Sequence, residues 1–112
     1  MKKTIFILSV IFLTSCAKVL TPKQSDVQVG TAKFPGLTLA QLDEGRTLFK
    51  HRCTQCHLAK NPTSRDEEEW RDIVPKMAAK AEKKTHKKKI PPADQELILK
   101  YLITMSDSHN KK

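Results

Sequence analysis

Cys53, Cys56 and His57, in the stretch HRCTQCHLAK from residue 51 to residue 60, place two thiols and an imidazole within five consecutive residues. No other feature of the 112-residue chain narrows its possible folds as far. A chain of this length allows one small domain. Such a domain buries a modest core, which a metal, a cofactor or a disulfide often supplements. Three chemistries use thiols at this spacing beside a histidine: a zinc site, a redox-active dithiol and covalent attachment of haem.

A structural zinc site takes four ligands from Cys and His. Cys53, Cys56 and His57 supply three at most, and the adjacent Cys56 and His57 are awkwardly placed to share one tetrahedron. A fourth would have to come from His51, His86 or His109, none at a recognised spacing. A thioredoxin-like dithiol follows a strand and opens a helix within a βαβ unit. Here an amphipathic helical pattern precedes the pair, and no strand pattern is present. Haem c accounts for all three residues. Two thiols three apart can form thioethers to the two vinyl groups of one porphyrin, and the next residue presents an imidazole to the iron.

The N-terminus bears on the same choice. MKKTIFILSVIFLTSC opens on Lys2 and Lys3 and continues with an apolar run from Ile5 to Leu13, interrupted only by Ser9. As a helix that run is about 14 Å long, under half of a ~30 Å hydrocarbon core, so it reads as a signal peptide and not a span. Leu13, Thr14, Ser15 and Cys16 resemble the lipobox of bacterial lipoproteins, which implies cleavage after residue 15 and a lipid on Cys16. Cys53 and Cys56 are then the only other cysteines, and no odd thiol is left over. Loss of Lys2 and Lys3 takes the formal charge from +9 to +7. Ala17 follows the lipidated position; by resemblance to lipoproteins retained at the inner membrane by an Asp there, the outer membrane, facing the periplasm, is the expected address. Attachment of haem c takes place outside the cytoplasmic membrane, so leader and motif agree.

Residues 16–37 beyond the signal peptide (1–15) mix Thr, Pro, Lys, Gln, Ser, Asp and Gly without sustained periodicity and read as a flexible tether. Twenty such residues span roughly 25 Å r.m.s.. The folded head is expected over 38–106, with 107–112 as a frayed tail. Its first helix starts after Thr38 as cap, with Leu39, Leu42, Gly45, Leu48 and Phe49 near one face. In the second, Ser64 and Glu67 match a capping box, the acidic run Asp66–Glu69 suits a helix start, and Trp70, Ile73, Val74, Met77 and Ala81 form an apolar stripe. Pro75 predicts a kink or break in it. The third is capped by Asp94 after Pro91 and Pro92 and buries one face through Leu97, Ile98, Tyr101, Leu102 and Met105. The expected fold is all-α: three to five short helices around one covalently attached haem. Lys83, Lys84, Lys87, Lys88 and Lys89 make a basic run. Such a run is first a solvated loop; as a docking patch it suits an acidic partner or anionic lipid. No nucleic-acid-binding motif is present.

GRTLFKHRCTQCH resembles the start of a small class I (monohaem) cytochrome c domain, and the resemblance extends over about residues 39–106. It implies that Gly45 and Phe49 pack the N-terminal helix on the C-terminal one, with Tyr101 and Leu102 on the other side of the contact. EEWRDIVPKMAAKA is similar to a subgroup of bacterial cytochromes c in which the axial methionine follows a tryptophan by seven residues, which points to Trp70 and Met77. Pro75 departs from that pattern. The resemblance further implies that a proline carbonyl after the motif, here Pro62, accepts the second N–H of His57, as ligating histidines usually require.

Among the residues that could complete the iron's coordination, His51 is too near Cys53 to reach the opposite haem face, His109 lies in the expected tail, His86 in the lysine-rich loop, and Met105 on the buried face of the last helix. Met77 is left as the sixth ligand. The expected function is one-electron transfer by a lipid-anchored protein with His57/Met77 ligation, serving redox partner proteins and performing no bond chemistry of its own. The alternatives are a haem subunit of a larger envelope oxidoreductase and a ligand-binding or sensor protein with an open sixth position.

Overall fold

In the computed structural model, which describes residues 19–53, 61–85 and 89–110, the C-terminal helix is enclosed on nearly every side. The described residues form four α-helices, α1 (Gln24–Gly30), α2 (Leu39–Leu48), α3 (Glu67–Thr85) and α4 (Pro92–His109), with a π-helical turn at Phe49–Cys53 and a 3-10 turn at Pro62–Ser64. The fold is all-α, and no strand occurs among the described residues. α1, α2, α3 and the 3-10 turn all pack on α4. From Ile98 to Ser106 every α4 residue except Lys100 is buried, where the sequence predicted a single apolar face. A helix surrounded by others buries all its sides. The buried Ser106 is satisfied there, its Oγ donating to the Arg65 carbonyl at 2.8 Å, whereas the buried Thr104 Oγ1 has no hydrogen-bond partner.

The helix starts follow local hydrogen-bond chemistry. Thr38 caps α2 as expected: its Oγ1 accepts from the Gln41 N–H at 3.1 Å, and Gln41 Oε1 accepts from the Thr38 N–H at 3.2 Å. For α3 the expected Ser64–Glu67 box gives way to Asp66, whose Oδ1 accepts from the Glu69 N–H at 2.9 Å. Ser64 is unavailable as cap because Asn61 Oδ1 accepts from the Thr63 N–H and holds 62–64 in their own turn. Asp94 does not cap α4 either. The helix begins at Pro92, which has no N–H to leave unpaired, and Asp94 sits in the first turn. Pro75 does not break α3. It lies on the exposed side, and the buried residues Trp70, Val74 and Ala78 hold the helix on both sides of it.

The expected tether is corrected over its described part. Val27, Phe34 and Leu37 belong to the core, and Val19 and Leu20 pack against it. Tyr101 Oη donates to the Leu20 carbonyl at 2.7 Å. The apolar residues here are too widely spaced to announce a helix, and α4 supplies the surface that the segment's own periodicity lacks. Gly36 turns the chain between α1 and α2 at φ +80, a conformation that favours glycine.

The expected frayed tail is corrected likewise for residues 107–109, which form the last turn of α4. Asp26 is 2% exposed. Its carboxylate accepts from the Lys23 N–H at 2.8 Å, from Ser108 Oγ at 2.5 Å and pairs with His109 Nε2 at 3.0 Å. Burial pushes its pKa up, but the bonds from Ser108, Lys23 and His109 outweigh burial and hold it below the usual value. Lys33 bridges Glu67 at 2.5 Å and Asp107 at 2.7 Å, tying the α1–α2 connection to α3 and α4.

Two glycines let helices approach α4 closely. A Cβ on Gly45 would run into the Leu97 carbonyl oxygen and come within 2.9 Å of Tyr101 Cβ; one on Gly30 would lie 2.6 Å from Thr104 Oγ1 and collide with Leu37. The obstacle at Gly45 is backbone, which cannot rotate aside. Gly45→Ala should therefore destabilise the protein although alanine is the better helix former by about 1 kcal/mol. Overpacking costs about 1–3 kcal/mol or more, so the expected net loss is on the order of 1–2 kcal/mol in a urea melt. A gain in stability would show that α2 and α4 can move apart freely.

Candidate functional site

α2 delivers the chain to the cysteine pair through an unusual turn. Its last α-helical residue is Leu48, and Phe49 to Cys53 continue as a π-helical turn, a widening that is frequent at functional positions. Phe49 is 1% exposed. It meets Trp70 edge-on, with centroids 6.4 Å apart and planes at 80°, and Tyr101 at 6.1 Å. It is thus wedged between α3 and α4, and it fixes the end of α2 from which Cys53 follows one turn later.

Cys53 is half-buried and packs against the core. Burial pushes its thiol up to about 11, with Arg52 opposing only in part. Redox-active dithiols have the reverse setting, an electropositive site that lowers the pKa. The next described residue is Asn61. Cys56 and His57 lie outside the described residues, as do Cys16, His86, Lys87 and Lys88.

The segment leaving the motif is tied to α3. Pro62 is buried, and its carbonyl accepts from Trp70 Nε1 at 2.9 Å. A carbonyl oxygen carries two lone pairs, so the one that the resemblance assigns to His57 is not consumed by this bond. Trp70 is 1% exposed, and the Arg65 guanidinium lies over its ring at 5.8 Å. Met77 stands two helical turns beyond Trp70 on α3. With Ile73 and Ala81, at steps of four, it forms a half-buried apolar strip beside the fully buried Trp70, Val74 and Ala78.

The other candidates are placed as follows. Gly45 and Phe49 meet α4 at Leu97 and Tyr101. Leu102 is fully buried in the same core, and so is Met105. His51 is exposed on the π turn. His109 is engaged by Asp26, not loose in a tail. Lys83 and Lys89 are exposed. Among the described residues, no three His, Cys, Asp or Glu side chains gather in a way that would hold a metal ion, and no helix is long and apolar enough to cross a membrane.

The donor set suits haem c. Two thiols match its two vinyl groups, and an imidazole and a thioether match the two axial positions. Cys53 is set in apolar surroundings, and Met77 lies on an apolar strip that is only half covered. The Trp70–Pro62 bond is the site feature that the sequence did not reveal; its one signal is a tryptophan eight residues after a proline, with a helix start between. Comparison with protein-family models, with curated proteins and with solved structures gives no match for this chain.

Proposed function

We propose that this chain is a one-electron carrier: a monohaem cytochrome c of the bacterial envelope, attached to the membrane by a lipid on Cys16, with Cys53 and Cys56 as thioether donors and His57 and Met77 as axial ligands. The observation that carries the reading is the way the CxxCH motif issues from a helix clamped to the C-terminal helix, at Gly45 against Leu97 and at Phe49 against Tyr101. Haem c, when bound, supplies an iron centre that gains and loses one electron. The chain's part is to bind, shield and tune it. Phe49 and Trp70 make the attachment turn rigid, Trp70 holds the exit of the motif at Pro62, and α3 carries both Trp70 and Met77. Lys83 and Lys89, at the two sides of the basic run, are exposed and suit an acidic redox partner.

A spectroelectrochemical titration tests the proposal. The purified protein should show one reversible one-electron step and, when oxidised, the weak near-infrared band of sulfur ligation. A thioether favours the reduced state, so Met77→Ala should lose the band, lower the potential and open the iron to carbon monoxide. Met105→Ala should leave the band in place and cost only core packing, about 2–5 kcal/mol. Loss of the band in Met105→Ala alone would transfer the ligand to α4. Carbon monoxide binding by the unaltered protein would favour the sensor reading.

A further inference from the structure

We infer that the face formed by Val19, Leu20 and Arg46 beside Tyr101 is apposed to the bilayer surface, so that the head is held against the membrane in one orientation. The inference rests on the reading of Cys16 as a lipidated residue. Had residues 16–37 been a free tether, the head would range roughly 25 Å from its anchor. The structure leaves no such freedom from Val19 onward.

Four features hold the segment. Val19 and Leu20 pack against the core. The Leu20 carbonyl accepts from Tyr101 Oη at 2.7 Å. Pro22 is buried. Asp26, one turn into α1, is fastened to Ser108 and His109. The Tyr101 ring is itself fixed, since its Cβ abuts Gly45 and its ring contacts Phe49. Burial pushes the Tyr101 hydroxyl up, so it stays a proton donor to Leu20. Four peptide units separate Cys16 from Leu20. Fully extended they reach about 14 Å. The Leu20 carbonyl therefore cannot lie farther than that from a lipidated Cys16, whatever path the intervening residues take. Arg46 is half-buried and follows Gly45, where α2 abuts the Tyr101 Cβ, so a cation stands on the stretch of α2 that adjoins Tyr101. The opposite end of α4, where Asn110 Nδ2 donates to the Thr63 carbonyl, lies nine residues beyond Tyr101, about 13 Å along the helix.

The full-length acylated, reduced protein is reconstituted in nanodiscs of phosphatidylethanolamine and phosphatidylglycerol doped with a nitroxide-headgroup lipid, and paramagnetic broadening of backbone amides is read by NMR. A second form carries a Gly/Ser insertion of about ten residues between Ala17 and Lys18, which adds about 17 Å r.m.s. of reach. In the unaltered protein, broadening should be strong at Arg46 and Thr47 and weak at Thr63 and Asn110. In the insertion form it should become weak at all four. Equal patterns in the two forms, or stronger broadening at Thr63 and Asn110 than at Arg46, would overturn the inference while leaving the lipid anchor intact. Absence of an acyl group from the N-terminal peptide by mass spectrometry would overturn the lipoprotein reading and the inference together.

Discussion

Replacing Cys53 and Cys56 together by alanine should yield a chain with no haem that survives acid–acetone extraction, whereas the unaltered chain should keep it and exceed its apoprotein mass by one haem. The effect is all or none because a thioether is a covalent bond, and without it only axial ligation and packing retain the group. Single replacements should leave one thioether and a partial yield. Cys53 packs against the core, so Cys53→Ala also removes a half-buried sulfur and should lower stability where a surface cysteine would not. Extraction-resistant haem in the double variant would place the attachment elsewhere and end the cytochrome reading.

Trp70→Ala should be the most destabilising single change in the core, by about 3–5 kcal/mol. Whole-domain stability is only about 5–15 kcal/mol, so much of the chain would unfold at moderate temperature. Three losses combine: a ring that is 1% exposed, its edge-on contact with Phe49, and the N–H that satisfies the buried Pro62 carbonyl. Trp70→Phe separates them. It keeps most of the bulk and the contact with Phe49 but leaves the Pro62 oxygen short of a donor, an expected loss of about 1–3 kcal/mol. Urea melts followed by circular dichroism measure both. A Trp70→Phe variant as stable as the parent would mean that water or the His57 N–H satisfies Pro62 and that the tryptophan acts through its bulk alone. If Trp70 also holds the motif's exit segment in place, Trp70→Phe should additionally loosen the His57 side of the proposed site and broaden the optical bands, which a purely packing role would not do.

The helical class of the fold, three of the four helices among the described residues and their approximate starts were legible because their causes are local. Thr38 and Gln41 form a box at a fixed spacing, the acidic residues after Asp66 suit a helix start, and the apolar residues of 39–49, 70–81 and 97–105 recur at steps of three and four. The candidate motif can be read for the same reason: Cys53, Cys56 and His57 are neighbours in the chain, and the chemistry proposed for them depends on that spacing, although of the three only Cys53 is among the described residues. Where two local devices competed, the sequence could not choose between them. Asn61 held 62–64 in a separate turn, so the cap passed from Ser64 to Asp66.

What only the tertiary structure decided is everything that α4 does to residues far from it in sequence. Residues 19–37 carry too few apolar side chains to fold by themselves. They are ordered because Tyr101, Ser108 and His109 present a donor to Leu20 and two partners to Asp26, more than eighty positions away. On its own chemistry Pro75 predicts a kink or break. It is tolerated because burial of Trp70, Val74 and Ala78 along one face outweighs the loss of a single exposed backbone hydrogen bond. Capping, periodicity and the spacing of ligands are short-range and can be read along the chain. Whether a polar, irregular segment is a tether or part of the core depends on the surface offered by a distant helix, and that is known only once the chain has folded back on itself.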